Sequence, residues 1–179
     1  DLHLSIRRQR QMCIRDRFFG IVPVCCTYYV IMPEGYKTVS TEVVMAAIAC
    51  GLVVDTLLVV NNFRDRDNDR EAGKRTLIVK LIDRWDEKSA LWLYLLLGYV
   101  PLAIMMCMGI HDAVVRDTST FALPLYAVYA GMHHTTYRQL KAINHGRELN
   151  RVLGSTARNI FIYGQIVFLT IVLGFALEI

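Results

Sequence analysis

Apolar and polar residues are segregated along this chain into blocks. Five apolar stretches, at 18–32, 43–60, 90–110, 118–137 and 160–177, are separated by short, charge-dense connections. None alternates with a period of two over the length a transmembrane β-strand needs, so each predicts a helix. A helix needs about 20 mostly apolar residues to cross the hydrocarbon layer. The third stretch meets that length, and the second and fifth come close. The first is short with Pro23 inside it, and the fourth contains Pro124 and ends in His133, His134, Thr135 and Thr136. The expected fold class is all-α: a polytopic transmembrane helical bundle of about five spans, because backbone in lipid must satisfy its own hydrogen bonds.

Composition and charge sharpen this picture. Of the 179 residues, 54% are hydrophobic and only 20% charged, against about a quarter charged in soluble domains. A soluble bundle of very apolar helices is the alternative, and the charge order argues against it. Connection 33–42 holds one basic residue, Lys37; connection 61–89 holds eight, Arg64, Arg66, Arg70, Lys74, Arg75, Lys80, Arg84 and Lys88. Connection 111–117 again holds one, Arg116, and connection 138–159 five, Arg138, Lys141, Arg147, Arg151 and Arg158. Alternation of 1, 8, 1 and 5 is what the excess of Lys and Arg on cytoplasmic loops predicts when the second and fourth connections are cytoplasmic. The C-terminus then falls on the opposite side. Localisation in the cytoplasmic (inner) membrane is expected.

Residues 1–17, DLHLSIRRQRQMCIRDR, differ from the rest: they are polar, carry five Arg against Asp1 and Asp16, and stop where the apolar chain begins. They read as non-native read-through, or as a basic juxtamembrane segment for anionic lipid; no signal-peptide cleavage site follows. The membrane domain is placed at 18–179, with a cytoplasmic loop at 61–89. Without the segment's +3, little of the formal +4 remains, so the basic balance implies no nucleic-acid partner.

The chemistry concentrates after the second stretch, in NNFRDRDNDREAGKRT at 61–76. If the second helix runs a turn or two beyond the membrane, Asp65 and Asp69 share one face, with Asn61 and Asn62 a turn earlier. Stacked carboxylates repel and call for a cation. Oxygen-only donors suit Mg²⁺, which keeps waters and takes further oxygens from a substrate phosphate. Arg64, Lys74 and Arg75 supply charge for the remaining oxygens of a diphosphate. The alternative is a solvated loop held by i,i+4 ion pairs. An EF-hand is excluded because its sixth and twelfth positions, counted from Asp65, hold Arg70 and Thr76; a P-loop is excluded because Lys74 is followed by Arg75.

The run NNFRDRDNDREAGKRTLIV resembles the second Asp-rich motif of the UbiA superfamily of intramembrane prenyltransferases. Its NNxRDxxxDxxxGKRTL form is similar to the 1,4-dihydroxy-2-naphthoate polyprenyltransferases of menaquinone synthesis. FFGIVPVCCTYYV and GRELNRVLGSTAR are similar to the same branch, so the resemblance covers residues 18–179. It implies a nine-helix fold around a central cavity, with this chain supplying helices five to nine and an N-terminal half, carrying the first Asp-rich motif, lying outside it. It further implies a polyprenyl diphosphate and an aromatic acceptor as partners, with the lipid bilayer around them. Asp65 and Asp69 are then expected to hold Mg²⁺, with Asp67 as an auxiliary carboxylate. Lys74 and Arg75 are expected to neutralise the leaving diphosphate, and Asn62 and Arg64 to shape the same site. Another acceptor within the superfamily, such as 4-hydroxybenzoate, or a non-catalytic fragment, are the alternatives.

Other residues extend or limit the site. Asp55, inside the second stretch and seven positions before Asn62, is a functional candidate by virtue of being ionisable in lipid and is expected to line the cavity near the aromatic substrate; Asn61 is a further substrate-binding candidate. Asn150 and Thr156 are expected to approach the diphosphate from across the cavity. His133 and His134 read as cavity lining or interface hydrogen bonding. Tyr28, Tyr29, Trp85, Trp92 and Tyr94 read as interfacial belts. Cys13, Cys25, Cys26, Cys50 and Cys107 form no CxxC pair and read as packing residues. A cation or solute transporter using Asp55 would require paired broken helices or repeats, and the sequence shows neither.

Overall fold

A computed structural model describes residues 21–35, 38–116 and 124–177. Seven helices lie within them: α1 Ile21–Ile31, α2 Thr41–Arg64, α3 Arg66–Glu71, α4 Leu77–Arg84, α5 Glu87–Arg116, α6 Leu125–Ile143 and α7 Leu149–Leu177. The described residues contain no strand, and the all-helical expectation holds. The segment 1–17 (with Cys13), residues 18–20, 36–37 (with Lys37) and 117–123, and the C-terminal pair 178–179 lie outside the described residues.

Three helices are long and apolar enough to cross a membrane: Thr41–Arg64, Glu87–Val115 and Leu149–Val172. They correspond to the second, third and fifth predicted stretches. α1, at 11 residues, is about half the length a span needs. α6 is 19 residues long but carries His133, His134, Arg138 and Lys141, and it falls short of the apolar content of the three long helices. The 61–89 connection, expected as a loop, is mostly helical: α2 runs through it to Arg64, and α3 and α4 follow.

Local sequence explains the element ends. Ser40 caps α2 by accepting the Val43 N–H at 3.4 Å, with Glu42 in the first turn facing the positive end of the helix dipole. Thr76 caps α4 through the Val79 N–H at 3.3 Å. Asp86 caps α5 by accepting from the Ser89 N–H at 3.1 Å. α6 ends where Asn144 takes φ +53°, a left-handed conformation that Asn tolerates.

The long helices pack in antiparallel succession: α2 lies along both α5 and α7, and α6 fills between α5 and α7. Two buried apolar clusters result. One lies beneath the charged end and joins Val60, Phe63, Ile78, Tyr94, Leu140 and Val152; the other, towards the far end, joins Ala49, Val53, Leu102, Tyr126, Tyr129 and Tyr163. Tyr94 is fully buried, which corrects its placement in an interfacial belt: its ring stacks on His133 at 4.6 Å and its hydroxyl meets Thr156 Oγ1 at 3.2 Å. Trp85 and Trp92, by contrast, are exposed.

Candidate functional site

The Asp-rich segment is built by a bend and a cap. At Asp65 the backbone (φ −92°, ψ +3°) separates α2 from α3, yet the i→i−4 ladder runs through it. The Asp65 N–H donates to Asn61 O at 3.1 Å and the Asp69 N–H to Asp65 O at 2.8 Å. Asn61, Asp65 and Asp69 therefore form one ridge at one-turn spacing, as the sequence predicts. α3 then ends in a Schellman turn: Gly73 N–H donates to Arg70 O at 3.1 Å and Lys74 N–H to Asp69 O at 2.7 Å, with Gly73 at φ +69°. A left-handed residue is needed here, and glycine supplies it without steric cost. The turn folds Lys74 back so that its Nζ lies 3.2 Å from Asp69 Oδ1.

Arg64 anchors the other end of the ridge. Its Nε and Nη2 hold the two oxygens of Asp65 at 2.7 and 2.8 Å, Nη2 also donates to Asn61 Oδ1 at 2.9 Å, and Nη1 donates to Asn150 Oδ1 on α7 at 3.0 Å. This two-pronged contact holds the Asp65 carboxyl below the usual carboxylate range, with Lys74 adding a weaker attraction. Asn150 is thus brought to the site from 86 residues away. Thr156 is not on that surface: it is buried six positions further along α7, against Tyr94. Asn62 and Asp55 are half-buried on α2, and Arg75 is exposed beside Lys74.

Asp67 stands apart from this ridge. Residues two apart on a helix do not face each other, and Asp67 pairs with Arg70 at 3.3 Å and His145 at 3.6 Å. Among the described residues no three His, Cys, Asp or Glu side chains converge as a metal-holding group. Asp65 and Asp69, one turn apart on the ridge, are the residues there that could offer oxygen donors to a divalent cation.

A second cluster, not foreseen from sequence, fixes the ridge from behind. Arg66 is buried (1% exposed). It donates to Phe63 O at 2.7 Å and Glu87 Oε1 at 3.2 Å, and packs over the Phe63 ring at 4.1 Å. Its Nη2 lies 2.7 Å from Nδ1 and 2.8 Å from Nε2 of His145, and donates to whichever nitrogen lacks a proton. Asn144 completes the cluster by donating to Glu87 Oε2 at 2.8 Å. These partners lie 21 and 79 residues from Arg66, and nothing in the local pattern distinguishes Arg66 from its exposed neighbours.

The fold and site define a class: a membrane helical bundle whose one end carries an oxygen-rich ridge flanked by paired cations. Residues 17–145 match the model of the UbiA prenyltransferase family, and the chain belongs to that family. It is also similar to the 1,4-dihydroxy-2-naphthoate octaprenyltransferase of Escherichia coli (strain K12), 39% identical over 64 residues, and to that of Haemophilus influenzae, 38% identical over 64 residues. Each match covers 36% of this chain, and the chain spans about a fifth (20%) of the relative's length. No solved structure matches the chain.

Proposed function

We propose that this chain forms the Asp-rich half of the active site of a Mg²⁺-dependent enzyme. That enzyme transfers a polyprenyl group from its diphosphate to an aromatic acceptor, 1,4-dihydroxy-2-naphthoate, at the cytoplasmic face of the inner membrane in menaquinone synthesis. The reading rests above all on the ridge Asn61–Asp65–Asp69 with a cation folded onto each carboxylate. Such a site holds its charge in balance and can re-pair Lys74 with a substrate's phosphates. Family membership and the naphthoate-prenylating relatives support the reaction class and the acceptor.

In this proposal Asp65 and Asp69 hold Mg²⁺, which, when bound, offsets the negative charge growing on the diphosphate. Lys74 exchanges Asp69 for a phosphate oxygen, and exposed Arg75 takes another, so both stabilise the leaving group. Arg64, tied to Asp65 and Asn150, fixes the angle between α2 and α7 at the mouth of the site. The allylic C–O bond breaks with its electron pair leaving on diphosphate. The acceptor ring then forms the new C–C bond and loses its carboxylate as CO₂. Apolar surroundings keep water from quenching the cation. Asp55, two turns deeper on α2, is assigned to the aromatic acceptor, and Asp67, which faces Arg70 and His145, is given no part in holding the cation.

The test is turnover of the full-length enzyme with 1,4-dihydroxy-2-naphthoate and a polyprenyl diphosphate. Asp65→Ala and Asp69→Ala should each lower it at least about 100-fold, in the range seen when electrostatic stabilisation of a reacting group is lost. Full activity of either variant at low Mg²⁺ overturns the assignment. Prenylation of 4-hydroxybenzoate in place of the naphthoate would move the chain to another branch of the family.

A further inference from the structure

On the outer side of α6 a concave pocket is lined by His134, Tyr137, Arg138, Lys141 and Ala142, with a cavity volume of about 470 Å³. Positions 134, 138 and 141 fall on one helical face, and none of the five lining residues is acidic. Among the described residues, neither the Arg138 nor the Lys141 side chain takes part in an ion pair or a hydrogen bond. Arg64, Arg66, Arg70 and Lys74 around the Asp-rich ridge are all paired.

The pocket's depth can be read from the fold. α6 ends at Ile143, and two residues on His145 contacts Arg66 and Asp67. Lys141 therefore lies at the same end of the bundle as the Asp-rich ridge, and His134 lies about 10 Å deeper along the helix. There the Tyr99 hydroxyl of α5 meets His134 Nδ1 at 3.4 Å. Trp92 (62% exposed), Leu96 (54%) and Tyr99 (38%) carry an exposed apolar strip along α5 from that point towards the charged end. An anion-seeking pocket at the membrane surface thus continues into an apolar strip on a spanning helix.

We propose that the pocket seats the phosphate of an anionic membrane phospholipid, whose acyl chains run down the Trp92–Leu96–Tyr99 strip. Arg138 and Lys141 hold the phosphate, and Tyr137 supports it at the interface. Basic pockets at the cytoplasmic ends of spanning helices suit such headgroups. A soluble phosphate would satisfy the cations but leave the apolar strip unused. The inference rests on the membrane placement of α5, not on the prenyl-transfer reading, so either can fail without the other.

The experiment is native mass spectrometry of the full-length protein in detergent, titrated with phosphatidylglycerol or phosphatidylcholine. Wild type should retain phosphatidylglycerol and bind phosphatidylcholine far more weakly. The pair Arg138→Gln/Lys141→Gln should weaken phosphatidylglycerol about 30-fold, from roughly fivefold per basic residue at an anionic surface. Both positions are exposed and Gln is a good helix former, so an unchanged melting temperature accompanies that loss. A second exposed pair, Arg84→Gln/Lys88→Gln, should leave binding unchanged. Wild-type affinity in the Arg138/Lys141 variant, equal affinity for phosphatidylcholine, or an equal loss in both charge pairs overturns the proposal. So does displacement of the lipid by millimolar inorganic phosphate, which would mark a site for soluble anions.

Discussion

Arg66 and His145 meet edge to ring across the charged end of the bundle, Nη2 to Nδ1 at 2.7 Å, although 79 residues separate them in sequence. The contact ties α3, which carries Asp67 and Asp69, to the turn between α6 and α7. Asn150, five residues after His145 and at the start of α7, holds Arg64 at 3.0 Å, so the Asp-rich segment is fastened twice to this part of the chain. The site's geometry is therefore set by tertiary contacts as much as by the local helix.

Removing Arg66 should cost more than removing an exposed arginine. Arg66→Ala leaves the Phe63 carbonyl without its donor, empties the space over the Phe63 ring and strips Glu87 of a cation. The unpaired carbonyl and the space left by a fully buried side chain are expected to destabilise by about 1–3 kcal/mol. Arg66→Lys keeps the charge but not the fork and should lie between. Thermal unfolding in detergent checks the order wild type, Lys, Ala; equal melting points for all three would show that the buried cluster contributes nothing.

How much of this was legible in the sequence differs sharply between the ridge and its support. Asn61, Asp65 and Asp69 were legible because one-turn spacing on a continuing helix is a local property. Gly73–Lys74 was visible as a motif, although the fold of Lys74 onto Asp69 depends on the left-handed turn. Arg66 was only one of eight basic residues in its connection, because burial by Glu87 and His145 is decided by how α5 and α6 return to the same end. Tyr94 was misplaced for the same reason: one aromatic near a helix end looks like another until α6 and α7 close over it. The short α1 and the polar α6 were the two weak stretches, and their Pro and His residues were the local signs.

Gly73→Ala isolates the cap. No atom lies within 4 Å of a Cβ added there, so the cost comes from φ +69° alone, about 1–2 kcal/mol for a non-glycine residue. The part of that cost that frays the Schellman turn should release Lys74 from Asp69. In the full-length enzyme the variant is expected to raise KM for the prenyl diphosphate several-fold while melting only slightly earlier. A large fall in melting temperature with unchanged KM would show that the cap does not position Lys74.

Asp65 gives a pH signature. Its folded-state pKa is depressed by Arg64, so its contribution is fully present above the ordinary aspartate value of about 4 and is lost as pH falls through the lower folded value. Its side chain is 35% exposed, so solvent screening keeps the contribution under about 1 kcal/mol. Wild type should therefore melt slightly above Asp65→Asn by a constant margin from about pH 5 to 8. The margin should close only below about pH 4. A margin that closes near neutrality would assign the stabilisation to another group.

Gly98 and His133 provide the sharpest packing test. A Cβ on Gly98 would fall 2.2 Å from His133 Nε2 and 2.3 Å from its Cε1, well inside contact distance. The ring has no easy retreat: His133 is 1% exposed, stacked on Tyr94 at 4.6 Å and met edge-on by Tyr99 at 5.5 Å. Gly98→Ala must then push α5 and α6 apart or drive the imidazole off its rotamer, at about 1–3 kcal/mol for overpacking. His133→Ala alone should also destabilise, because it leaves a cavity between Tyr94 and Tyr129. Combined, the two changes should cost less than the sum of the singles by at least about 1 kcal/mol, since the clash disappears with the ring. Additive losses in melting experiments on the double-mutant cycle would mean that α5 and α6 do not approach each other through this pair, and the placement of α6 in the bundle would have to be redrawn.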